Sequence, residues 1–123
     1  MAEVVVIEDD PQISALLVAH FTKRGDSVTS FGRAQTALEH LGGPGANTEL
    51  VMVDLGLPDM SGFEFIVKAR AQKASAETII VVISARTGLQ ERARALDVGA
   101  DDFVEKPFNL KAVEKKVRGL LDS

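Results

Sequence analysis

Val4-Val5-Val6-Ile7-Glu8-Asp9-Asp10-Pro11 is the stretch on which the reading of this chain turns. Four consecutive β-branched residues leave no polar alternation, the pattern of a strand buried on both faces, as in a parallel sheet covered by helices. Asp10-Pro11 then reads as a helix N-cap followed by proline at the first helical position, where its missing N–H costs nothing. A buried strand therefore feeds straight into a helix. In that helix Ile13, Leu16, Leu17 and Phe21 fall on one stripe with His20 beside them, and Gly25 supplies the left-handed stop.

The alternation continues downstream. Ser27 to Phe31 reads as a weaker second strand, and Ala34, Ala37, Leu38 and Leu41 give the next helical stripe before the turn Gly42-Gly43-Pro44-Gly45. Leu50 to Val53 is a third strand. Ser61-Gly62-Phe63-Glu64 fits a capping box opening a helix whose Phe63, Ile66 and Val67 face inward. A fourth strand runs from about Thr78 to Ile83, and a helix carrying Leu89, Ala93 and Leu96 stops at Gly99. The fifth strand covers Asp102 to Glu105, and Asn109 caps a last helix with Leu110, Val113, Val117 and Leu120 or Leu121 inside. Strands alternating with helices predict an α/β, doubly wound parallel sheet.

At 123 residues the chain is expected to form a single domain, residues 1–123. Fourteen Lys and Arg against eighteen Asp and Glu leave a net charge of -4, which argues against direct nucleic-acid binding by this segment. The absence of cysteine excludes disulfides and thiolate metal centres. No apolar run is longer than that of Ile79 to Ile83, which is far too short to span a bilayer, so no membrane association and a cytoplasmic location are expected.

Polar residues that interrupt this pattern lie at the C-terminal ends of strands: Glu8, Asp9 and Asp10 after the first, Asp54 after the third, Ser84 after the fourth and Lys106 after the fifth. Open α/β sheets bind ligands at that edge, where the strand order reverses. With the order 2-1-3-4-5, the first and third strands are neighbours there and several carboxylates share a few ångströms. Such carboxylates must take up protons or bind a cation, and hard oxygen ligands suit Mg2+. Lys106 and the Ser84 hydroxyl complete a ring of groups matched to a phosphoryl group in transfer, with Asp54 as nucleophile.

At these residues the chain resembles a known family. Glu8-Asp9-Asp10-Pro11, Asp54-Leu55-Gly56-Leu57-Pro58-Asp59-Met60-Ser61-Gly62, Ile83-Ser84-Ala85 and Gly99-Ala100-Asp101-Asp102-Phe103-Val104-Glu105-Lys106-Pro107-Phe108 look like the signature stretches of receiver domains in bacterial two-component response regulators. They occur in the family's order, and the likeness covers essentially the whole chain. The resemblance implies a flavodoxin-like (βα)5 fold with strand order 2-1-3-4-5 and a phosphorylation-dependent signalling switch rather than an enzyme. It makes Asp54 the phosphoacceptor, Glu8, Asp9, Asp54 and the Gly56 carbonyl the Mg2+ ligands, and Lys106 the partner of the phosphoryl group. Ser84 becomes the switch hydroxyl and Phe103 the aromatic switch position. A cis Lys106-Pro107 bond is also implied. Serine stands where threonine is frequent, and Phe103 where tyrosine is frequent, which removes a hydrogen-bonding tip. The partners implied are a cognate histidine kinase or phosphotransfer protein and an output domain or downstream protein, the chain being either a stand-alone regulator or the N-terminal part of a longer one.

A haloacid-dehalogenase-type hydrolase would need a second aspartate two residues after its nucleophile, where Gly56 stands. A flavin carrier would need a hydroxyl-rich phosphate loop, and Glu8-Asp9-Asp10 would repel a phosphate there. A phosphate-independent interaction module on the same scaffold stays open beside the main reading. Asp10 reads as a helix cap, His20 as a partly buried core residue, His40 as a helix C-terminal residue, and Lys111, Glu114, Lys115, Lys116 and Arg118 as a solvated face. The segment Ala100 to Phe103 also resembles receivers of winged-helix transcription factors, whose charge pairs across helix four, strand five and helix five would here involve Arg92, Asp101, Asp102, Lys116 and Arg118. Ala112 stands where that branch commonly has an acid. The expectation is a monomer that at most dimerises weakly on activation.

Overall fold

The structure, a computed structural model, describes residues 1–85 and 88–123. Its elements are β1 (Glu3–Ile7), α1 (Pro11–Lys23), β2 (Ser27–Phe31), α2 (Ala34–Leu41), β3 (Leu50–Val53), α3 (Gly62–Ala71), β4 (Ile79–Ser84), α4 (Leu89–Val98), β5 (Asp102–Glu105) and α5 (Leu110–Leu121). A 3-10 turn at Lys73–Ser75, not expected from the sequence, follows α3. All strands are parallel, in the order β2-β1-β3-β4-β5. Ile7 stands level with Val53, and Val53 with Val82, so the residues that follow β1 and β3 emerge side by side.

The core forms two layers because successive strand residues face opposite sides. Val5, Ile7, Val51, Val53, Ile80 and Val82 pack with α2, α3 and Ala95 of α4. Val4, Val6, Leu50, Met52, Val81 and Ile83 pack with α1 and α5 through Leu17, Phe21, Val113 and Val117. Each fully buried aliphatic or Phe side chain stabilises the fold by about 1.5–3 kcal/mol relative to exposure. Asp10 caps α1 by accepting the Gln12 and Ile13 N–H groups, and Gly25 takes φ 95° just past its end, as expected. Among the described residues no helix is long and apolar enough to cross a membrane.

Three helical faces differ from the sequence reading. Leu16 lies about 100° around the helix from Leu17 and is exposed, because α1 rests on the sheet along Leu17 and Phe21. Val67 is likewise exposed, and Phe65 and Ala69 are buried instead. On α4 the large residues Leu89 and Leu96 point outward, 84% and 51% exposed, while the small Ala95 faces the core. A helix seated on the sheet through an alanine can approach it closely.

The charged face expected to be solvated on α5 is divided. Lys111, Lys115 and Lys116 are exposed, but Glu114 and Arg118 turn toward α1. Glu114 Oε1 lies 3.1 Å from both His20 Nε2 and Arg24 Nε, and its Oε2 accepts from Arg118 Nε at 2.6 Å. The Arg118 guanidinium continues to the Asp26 carboxylate, whose Oδ1 also accepts the Ala2 N–H at 2.9 Å. Burial opposes ionisation of Asp26, yet the hydrogen bonds from Arg118 and Ala2 outweigh it and hold the carboxyl below its ordinary 3.8. A folded-state pKa below the unfolded one adds stability at neutral pH that is lost as pH falls through the folded value. Asp26→Asn is therefore expected to lower Tm at pH 7, with the gap to wild type closing below pH 3.8. A gap that holds constant through that range would contradict the Arg118–Asp26 link.

Candidate functional site

Level strand ends bring Glu8, Asp9 and Asp54 together at the C-terminal edge of β1 and β3. One carboxylate oxygen of each lies within 4.8 Å of the other two. Glu8 is buried, Asp54 half-buried and Asp9 exposed, so the cluster runs from the interior to the rim. The Glu8 side chain is fixed at both oxygens: Oε2 accepts the Asp10 N–H at 3.2 Å and Oε1 accepts from Lys106 Nζ at 2.6 Å. Lys106 also reaches Asp54 Oδ2 at 3.1 Å, so one ammonium bridges the two acids. Asp54 Oδ1 accepts the Gly56 N–H at 3.3 Å.

Burial pushes the Glu8 carboxyl above its ordinary value, the Asp54 charge adds to this, and the Lys106 and Asp10 hydrogen bonds only partly offset it. Burial works against the Lys106 ammonium too, but its hydrogen bonds to Glu8 and Asp54 prevail and raise its pKa. Two acids and one ammonium thus hold one another in place. A cluster whose lysine already answers part of the negative charge suits a small hard cation plus an incoming anion.

Ser84 ends β4 fully buried, and its carbonyl accepts the Lys106 N–H at 2.9 Å. Lys106 is placed by the end of β5, directly before a cis Lys106-Pro107 bond. Phe103 is buried on β5 with the Arg92 guanidinium 5.1 Å from its ring centroid. Residues Gly56 to Ser61 form a loop closed at its neck by a Gly56–Ser61 bridge and by the Gly62 N–H donating to Leu55 O at 2.9 Å. Only glycine fits at 62, since a Cβ there would lie 2.7 Å from Asp54 O and Leu55 Cα.

Every residue nominated from the sequence lies on this edge or on the strand leading to it. Asp10 is a helix cap, and His20 and His40 take no part: His20 meets Glu114, and His40 packs on Phe31. The residues proposed for intermolecular charge pairs are mostly engaged within the chain. Arg118 faces Asp26 and Glu114, Asp101 pairs with Arg70, Arg92 with Glu105 and Lys116 with Asp102. Asp59 carries a role that the sequence did not disclose: its two oxygens accept the Ala34 and Gln35 N–H groups at the start of α2, both at 2.9 Å.

A five-stranded doubly wound sheet with a lysine-bridged acidic cluster at its reversal edge defines a class of regulatory α/β domain. The family is settled by comparison: the family model described as "Response regulator receiver domain" matches residues 4–118, and this chain belongs to that family. It is 38% identical over 122 residues to the transcriptional regulatory protein KdpE of Mycobacterium tuberculosis, covering 96% of this chain and 50% of that protein. It is 34% identical over 122 residues to the transcriptional regulatory protein BasR of Escherichia coli, covering 97% and 52%. The chain thus spans about half the length of the curated relatives it matches. A CheY-like receiver domain from Methanospirillum hungatei shares the fold with a TM-score of 0.91 at 23% identity, covering 99% of this chain and 94% of that one. The chain is a signal-transduction domain of the two-component type.

Proposed function

We propose that this chain is a phosphorylation-dependent switch that accepts a phosphoryl group onto Asp54 from the phosphohistidine of a partner kinase or phosphotransfer protein. The observation that carries the reading is the meeting of Glu8, Asp9 and Asp54 under the bridging Lys106 ammonium. Three carboxylates form a hard-oxygen donor set, and with the Gly56 carbonyl they are the residues that would hold Mg2+. Bound there, Mg2+ would offset charge on the phosphoryl oxygens. An Asp54 carboxylate oxygen attacks phosphorus, an acyl P–O bond forms, and the P–N bond of the donor breaks with its electron pair leaving on the imidazole.

Lys106, already on Asp54 Oδ2, is in reach of the new phosphoryl oxygens, and its raised pKa keeps it charged for that task. Ser84, on the neighbouring strand end, supplies a hydroxyl donor to the same group. Pulling on Ser84 and Lys106 shifts the ends of β4 and β5, and Phe103 with Arg92 lies in the path of that shift. The response emerges on the surface of α4, β5 and α5, where a cavity of about 230 Å³ is lined by Phe103, Phe108, Arg92 and Lys116 among others. The protein works in the cytoplasm, and its output is a downstream protein or an attached output domain. With most charge pairs closed inside the chain, we expect a monomer that dimerises at most weakly on activation.

The roles separate experimentally. Lys106→Ala and Ser84→Ala are expected to leave Mg2+ affinity within a few-fold of wild type, or to raise it for Lys106→Ala as a competing cation is removed, while uncoupling phosphorylation from the response. NMR titration with Mg2+ reads the first effect. A loss of Mg2+ affinity of about tenfold or more in a folded Lys106→Ala protein would place the lysine in metal binding and contradict its assigned role.

A further inference from the structure

Resting on that reading, we infer that Asp59 is a positioning residue for the phosphoacceptor: by clamping the loop after β3 onto α2 it holds Gly56 against Asp54. The N-cap residue of α2, Arg33, makes no side-chain cap hydrogen bond. The N–H groups of the first turn are answered instead by a carboxylate reaching across from another element, Asp59 Oδ1 to Ala34 and Oδ2 to Gln35, both at 2.9 Å. Burial is the largest single influence on the Asp59 carboxyl and opposes its ionisation, yet the hydrogen bonds from Gln35 and Ala34 and the nearby Arg33 charge together hold it below its ordinary value, so the clamp is ionised at neutral pH.

The clamp sits near the tip of a loop whose neck is the Gly56–Ser61 bridge. Fixing both ends leaves the loop little freedom, and Gly56 at its neck donates its N–H to Asp54 Oδ1 at 3.3 Å. Asp59 thus acts on Asp54 through Gly56, and it also sets where the Gly56 carbonyl lies. Partners of this indirect kind often decide how well a site holds its metal.

The test compares Asp59→Asn with Asp59→Ala. Both lose the same charge, but only asparagine keeps an oxygen to accept an α2 N–H. By Mg2+ titration followed by NMR, Asp59→Asn is expected within about twofold of wild type and Asp59→Ala about tenfold weaker. Equal affinities in the two variants would overturn the inference. Ser75→Ala, which removes a buried 2.6 Å bond to Ala69 O at the opposite end of the sheet, controls for lost stability and is expected to bind Mg2+ as wild type does. A weakening there equal to that of Asp59→Ala would also overturn it. In the metal-free proteins, hydrogen exchange at the Gly56 amide should quicken several-fold in Asp59→Ala and not in Asp59→Asn, and unchanged exchange counts against the clamp. A wild-type protein that ignores Mg2+ would instead contradict the phosphoacceptor reading, and the Gly56 exchange would still decide the role of Asp59.

Discussion

Arg70→Ala is expected to destabilise the protein by about 3 kcal/mol and to lower Tm by about 10 °C. Arg70, near the end of α3, donates from Nε and Nη2 to Gly99 O at 3.0 and 2.8 Å, which caps the C-terminus of α4. Its Nη1 reaches the carbonyls of Ala76, at 3.1 Å, and Thr78, at the entry to β4. Nη2 also pairs with Asp101 Oδ2 at 3.0 Å, and that oxygen accepts the Ile80 N–H at 2.8 Å. One guanidinium therefore joins α3, α4 and the strand between them. Truncation leaves half-buried carbonyls without their charged donor, the costly kind of loss. Arg70→Lys is expected to recover less than half of the deficit, because an ammonium lacks the planar fork that serves several acceptors at once. The chain has no Trp or Tyr, so denaturation is best followed by far-ultraviolet circular dichroism. A loss below about 1 kcal/mol in Arg70→Ala would show that water replaces the guanidinium at little cost.

The order of elements was legible where a boundary has local chemistry behind it: Asp10, Ser61 and Asn109 each cap the helix they precede. The acidic cluster was legible for a related reason, since strand ends and the order 2-1-3-4-5 suffice to bring Asp9 and Asp54 together. Helix phase was not. On α4 the sequence reading aligned the largest apolar residues, Leu89 and Leu96, with the core, whereas the helix is seated through Ala95. Periodicity identifies a helix, but the neighbours choose which face is covered.

Contacts between distant elements were also hidden. The Asp26–Arg118–Glu114–His20 chain, the Arg70 clasp and the Asp59 clamp each join groups from separate elements, and apart from the Glu114–Arg118 pair four residues apart on α5 no spacing rule announces them. Charge type alone made Glu114 and Arg118 look like solvent-facing residues. Asp59 stood inside a stretch recognised as a signature, yet nothing in the order of residues shows that its partner is a helix start 25 residues earlier.

The largest functional effect is expected at Asp54. Asn keeps the size and the hydrogen-bonding oxygen of this side chain but presents a neutral amide, which cannot form the acyl phosphate and withdraws one anionic ligand from the Mg2+ site. Asp54→Asn should therefore fold normally, bind Mg2+ more weakly and take no phosphoryl group. Removing one of three clustered negative charges should also stabilise the metal-free fold slightly, since Asp54 is among the groups that raise the Glu8 pKa.

The most direct measurement is intact-mass spectrometry after incubation with a small acyl phosphate, with Mg2+ and with excess chelator. The wild-type chain is expected to gain about 80 Da with Mg2+, to gain nothing with chelator, and to show no gain in Asp54→Asn under either condition. An undiminished adduct on Asp54→Asn, or a wild-type adduct indifferent to Mg2+, would contradict the assignment of Asp54 as the phosphoacceptor of a metal-assisted switch.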